Sequence, residues 1–146
     1  MLLRDIVPTY KREIARSGGI IVAVRVSSMA LRIGVLIELV LGVSLWIDRP
    51  LAPVLLHMAL GLLIVALVWF LGLAQATVKN GSLGLTFATF GVGLALAILG
   101  LVQKAVPGQP ALQIVHVVLA LATVAVGEVA TARYWRGKKA VVPAAS

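Results

Sequence analysis

Four apolar stretches of membrane-crossing length, separated by short polar links, dominate this chain and leave it few folds to choose from. They run over residues 27–47, 54–74, 83–102 and 111–134. About 20 residues of helix cross the hydrocarbon core of a bilayer. The links read "DRPLAP", "QATVKNGS" and "QKAVPGQP", each carrying proline, glycine or asparagine where a helix must stop. Links this short make consecutive helices antiparallel neighbours, so the expected fold is all-α: one integral membrane domain built as an up-down-up-down four-helix bundle. Composition agrees, since 61% of the 146 residues are hydrophobic and 12% are charged. A water-soluble domain of that size leaves too much of its chain exposed to hide so much apolar surface.

The net charge of +8 suits an anionic membrane surface better than nucleic acid, because the basic residues flank the apolar stretches. Eleven of the thirteen lysines and arginines (Arg4, Lys11, Arg12, Arg16, Arg25, Arg32, Lys79, Arg133, Arg136, Lys138 and Lys139) fall on one side, leaving Arg49 and Lys104 on the other. That asymmetry predicts a cell inner membrane protein with both termini cytoplasmic. Residues 1–19 are expected to form a short basic amphipathic segment with Ile6, Val7, Tyr10 and Ile14 toward lipid, with a disordered basic tail as the alternative, and residues 137–146 a tail. Trp46, Tyr134 and Trp135 stand where interfacial aromatic anchors are expected. No cysteine is present, which removes disulfides and thiolate metal ligands.

The chain has two histidines, and both are intramembrane. His57 follows Pro53 by four residues and His116 follows Pro110 by six, on the second and fourth helices, which run in the same direction. At ~1.5 Å per residue the imidazoles reach similar depth, roughly 6–9 Å inside the outer boundary. In a square bundle these two helices are diagonal, so both side chains are expected to face the core. Two imidazoles at one depth suit the axial positions of a single haem b. Gly61 lies one turn below His57, and Ala120, Thr123 and Gly127 continue the His116 face, so both faces are cut back where a macrocycle needs room. Zinc usually takes at least three protein ligands, and no carboxylate is expected at the same depth. Thr89, Gly93 and Ala97 form a further small-residue row that allows close approach of a neighbouring helix.

Several polar residues accompany the histidines. Arg49 and Lys104 are the two outer cations available to haem propionates. Gln113, one turn before His116, is a candidate partner for its imidazole or for a propionate. Glu38, between Gly34 and Gly42 in the first span, should face the interior, deeper than the histidines, as a proton relay or a structural hydrogen-bonding group. Glu128 is expected to pair with Arg25, Arg32 or Arg133, while Trp69 and Phe70 read as packing residues.

The stretches "LLHMALGLLIVAL" and "LQIVHVVLALATVAVGE" resemble the helix starts of membrane four-helix b-type cytochromes, and in plan one half of the haem A synthase family. The resemblance implies haem held by paired histidines at the outer ends of the second and fourth helices, here His57 and His116. In the haem-modifying half of that family a glutamate precedes the first histidine by one turn. Val54 stands there instead, which implies haem binding and electron transfer without haem-modifying catalysis. A quinol, other redox subunits or a homo- or hetero-oligomer are the partners such a role implies, alongside membrane lipids. Two other functions fit the same plan. One is a proton-coupled transporter using Glu38, since small multidrug resistance transporters share four spans with a glutamate in the first; this chain is longer and lacks their aromatic motifs around the third span. The other is a cofactor-free assembly subunit.

Overall fold

A computed structural model describes the backbone of residues 3–140 and the side chains of residues 18–140. It contains α1 (Leu3–Trp46), α2 (Val54–Ala76), α3 (Leu83–Ala105) and α4 (Pro110–Lys139), with no strand among the described residues. Each helix is long and apolar enough to cross a membrane, with a mean hydropathy of 2.0 to 2.6 over its most apolar window. The chain is a multi-pass membrane protein of the expected fold. The basic N-terminal segment is not a separate element, because α1 continues through Gly18 and Gly19 into its span. The lipid-facing assignments for Ile6, Val7, Tyr10 and Ile14 lie outside the described side chains.

Local chemistry sets the helix ends. After Trp46 the chain turns at Asp48, in the left-handed region at φ 54. Arg49 N–H donates to the Ser44 carbonyl and Asp48 N–H to that of Leu45, which is the Schellman arrangement, with aspartate in the place glycine usually holds. Pro53 immediately precedes α2. Ser82 caps α3 by accepting from Leu85 N–H. Pro110 occupies the first turn of α4, where a missing N–H costs nothing.

The four helices pack in sequence around the bundle and α1 closes against α4. α2 and α4 also touch across the bundle whereas α1 and α3 do not, so the cross-section is a rhombus with the α2–α4 diagonal short. The small-residue row of α3 faces α2. A β-carbon at Gly72 would lie 2.9 Å from Thr89 Cβ, and one at Gly93 would lie 2.6 Å from Trp69 Nε1.

The core gathers at the end that holds the α2–α3 link and the C-terminal part of α4. Val24, Leu31, Leu71, Ala74, Ala130 and Tyr134 are buried there. Every buried residue of α2 lies at or after Ile64, and every buried residue of α4 at or after Thr123. Tyr134 corrects the interfacial-anchor expectation: it is 0% exposed, because Ala130 and Gly137 narrow its face and let α4 settle onto the α2–α3 link. Trp46 stays exposed, as an interfacial residue would be, and Trp135 packs edge-on against Tyr134.

Candidate functional site

His57 and His116 sit on the parts of α2 and α4 that contribute no buried residue, toward the end formed by the α1–α2 and α3–α4 links. Both are half-buried, and in both the Nδ1 atom is sealed from solvent. The Cε1 edge of each ring lies against a glycine of the adjacent helix. A β-carbon on Gly42 of α1 would be 3.5 Å from His57 Cε1, and one on Gly100 of α3 would be 3.3 Å from His116 Cε1. Glycine at these positions lets an imidazole rest almost on the neighbouring backbone.

His57 has a carboxylate beside it. Glu38 Oε2 lies 2.5 Å from its Nδ1, with an angle that is not that of a hydrogen bond, and Glu38 Oε1 is buried without a partner. The side chains are 22% and 12% exposed, which places the pair within the bundle wall. A β-carbon at Gly61 would meet Glu38 Oε2 at 3.9 Å, and one at Gly34 would meet Ile64 at 3.4 Å. The row Gly34, Glu38 and Gly42 therefore faces α2, as its narrowness predicts.

The depth expected of Glu38 is corrected. Counting residues places its backbone about one turn below the histidines, opposite Gly61, but its long side chain spans that turn and brings the carboxylate to His57. Among the described residues, no three histidine, aspartate or glutamate side chains converge closely enough to hold a bare metal ion.

The small residues below His116 separate into two groups. Ala120 is half-buried. Thr123 is buried and donates its hydroxyl to the Leu119 carbonyl within α4. Gly127 leaves no room for a macrocycle, which corrects its expected role: a β-carbon there would lie 2.5 Å from Leu31 Cδ2 and 3.3 Å from Val68 Cγ2. It is a packing glycine of the core.

Arg49 and Lys104 are exposed at the end nearer the histidines. Gln113 does not reach the imidazole, as His116 Nδ1 has no hydrogen-bond partner. Glu128 pairs with Arg32 of the three cations considered for it, through two bonds of 2.7 Å. Trp69 stacks on Phe90 with ring centroids 4.9 Å apart, as packing residues do.

Residue spacing did not reveal Gln75. Its amide donates to the Gly72 and Ser82 carbonyls and to Thr86 Oγ1, and its carbonyl accepts from Ser82 N–H, joining α2 to the start of α3. A glutamine at the end of an apolar helix, followed by a serine and a threonine, was the available signal. Gln103 similarly bonds the Leu112 carbonyl across the α3–α4 link at 2.7 Å. No protein-family model, curated protein or solved structure matches this chain.

Proposed function

We propose that this protein is a membrane b-type cytochrome that holds one haem b between His57 and His116 and transfers electrons, alone or as the haem subunit of a redox complex. One observation carries the reading: the chain's only two histidines come from parallel helices that pack on each other, at the end where neither helix buries a residue, each with Nδ1 sealed inside. The residues present fit the group. Metal-bound imidazoles commonly keep their second nitrogen on a carboxylate or carbonyl, which fixes the ring's orientation and raises its basicity. The Glu38 carboxylate lies beside His57 Nδ1, where a change of side-chain angle would let it do this and leave Nε2 for iron. Gly42 and Gly100 let the Cε1 edges of the rings lie close to the neighbouring helix backbones. Arg49 and Lys104 are the cations available to propionates at that end. Bound haem iron supplies one-electron redox chemistry, with its potential set by axial ligands and burial.

In this reading the electron donor or acceptor is a quinol or a partner redox subunit, and the protein resides in the cell inner membrane with both termini cytoplasmic. The test is an absorption spectrum of the purified protein, oxidised and reduced. Low-spin bis-histidine bands are expected, with His57→Ala and His116→Ala each losing haem or turning it high-spin. A colourless protein after expression with ample haem overturns the reading.

A second reading is favoured by the same Glu38 contact. A carboxylate beside an imidazole inside a membrane suits proton-coupled transport, in which Glu38 binds and releases the coupling proton. Haem-free protein that still catalyses proton-driven uptake in vesicles is the outcome specific to it.

A further inference from the structure

The most basic surface of the described bundle is not at the histidines. At the opposite end, Lys79, Asn80, Arg133, Arg136 and Gly137 line a cleft of about 300 Å³ between the α2–α3 link and the last turns of α4. Packing builds this cleft. A β-carbon at Gly137 would meet the Lys79 carbonyl at 2.6 Å, so α4 lies directly on the link. Asn80 turns the link in the left-handed region at φ 65, a conformation asparagine tolerates better than most residues.

Three cations face this cleft, and the described carboxylates are committed elsewhere. Glu128 is held by Arg32, Glu38 lies on His57, and Asp48 forms the turn at the far end of α1. Among the described residues, then, none neutralises Lys79, Arg133 or Arg136. The cleft also lies where the apolar part of α4 gives way to its basic last turns, the level of lipid headgroups. Arginine offers a planar fork of donors that matches phosphate oxygens, and lysine adds a compact point charge.

We propose that this cleft binds the phosphate of an anionic phospholipid headgroup in the leaflet at that end, anchoring α4 and the α2–α3 link to it. The cleft does not depend on the haem reading. Its chemistry would also accept free inorganic phosphate, so the experiment separates the two.

Full-length protein in a neutral detergent is mixed with phosphatidylglycerol, phosphatidylcholine or inorganic phosphate, and bound lipid is counted by native mass spectrometry. Phosphatidylglycerol is expected to be retained in preference to phosphatidylcholine and to be lost as salt rises. The triple variant Lys79→Gln, Arg133→Gln and Arg136→Gln should weaken phosphatidylglycerol retention at least about tenfold, since each surface cation contributes to attraction of an anionic lipid. The control Arg49→Gln with Lys104→Gln, at the other end and outside the cleft, should weaken it far less. Retention of the helical circular-dichroism signal in the triple variant shows that lost lipid is not lost fold. Should the triple variant instead unfold, the single Arg136→Gln variant carries the test with the same expected direction. Equal retention of the two lipids, unchanged binding by the variant, or displacement of phosphatidylglycerol by millimolar inorganic phosphate overturns the assignment.

Discussion

The Arg32 guanidinium meets the Glu128 carboxylate through two parallel bonds of 2.7 Å, Nε to Oε1 and Nη2 to Oε2, tying α1 to α4. These two helices share the least extensive of the packed interfaces, and both groups lie within membrane-spanning stretches. A forked pair of this kind is geometrically specific as well as attractive. The side chains are 58% and 35% exposed, so breaking one partner leaves the other charge unpaired on the outer surface of a membrane-spanning helix, where it is costly.

Glu128→Gln and Arg32→Gln should therefore each lower the melting temperature of the detergent-solubilised protein. The exchange Arg32→Glu with Glu128→Arg should recover part of the loss, because it restores opposite charges in the same place. Scanning fluorimetry reads this directly. Single variants as stable as the parent protein would contradict a structural role for the pair.

Glu38→Gln separates the two proposed functions. Under haem binding, glutamine keeps a hydrogen-bonding group beside His57 but replaces the carboxyl with an amide. The low-spin spectrum should then persist while haem affinity falls about 10–100-fold, the usual cost of losing a partner behind a metal-bound histidine. Under proton-coupled transport the same change abolishes uptake. Haem titration of the apoprotein with absorbance readout tests the first expectation, and unchanged affinity would detach Glu38 from the haem reading.

The α2–α3 junction should be sensitive to small changes. At Gly72 an added methyl collides with the Thr89 side chain, so Gly72→Ala should cost about 1–3 kcal/mol through overpacking. Gln75→Leu leaves the Ser82 N–H without the carbonyl it donates to, while Thr86 still donates to the Ser82 and Gly72 carbonyls, for a cost of about 1–3 kcal/mol. Reversible unfolding in mixed micelles, with the parent protein alongside, gives both numbers. A neutral Gly72→Ala would mean that α2 and α3 are not in close contact in the membrane.

Membrane orientation can be measured cleanly because the chain has no cysteine of its own. Val106→Cys in the α3–α4 link and Thr77→Cys after α2 place single thiols at exposed positions on opposite ends. With both termini cytoplasmic, a membrane-impermeant maleimide should label Val106→Cys in cells whose outer barrier is open, and Thr77→Cys only after the inner membrane is breached. The reverse pattern would invert the topology.

Spacing and composition alone determined much of this protein. The four spans and their alternating direction follow from run lengths, link lengths and a constant rise per residue. Lipid solvates apolar side chains and tolerates no unpaired backbone, so each long apolar run has little choice but to be a helix. The inward facing of Glu38 was legible too, because glycines one turn before and after it mark a contact face.

What only the tertiary structure decided is how side chains divide the space between helices. The Glu38 carboxylate reaches His57 because a long flexible side chain covers a full turn that backbone counting ignores. Gly127 looks like part of a cofactor groove in the sequence but receives Leu31 from α1, a helix whose rotation the His116 face does not encode. Tyr134 was drawn from the interface into the core, and the Lys79–Arg133–Arg136 cleft was assembled from a link and a helix end more than fifty residues apart in sequence. The periodicity of one helix records which of its residues share a face. The partner each face meets is settled only by the packing of all four helices at once.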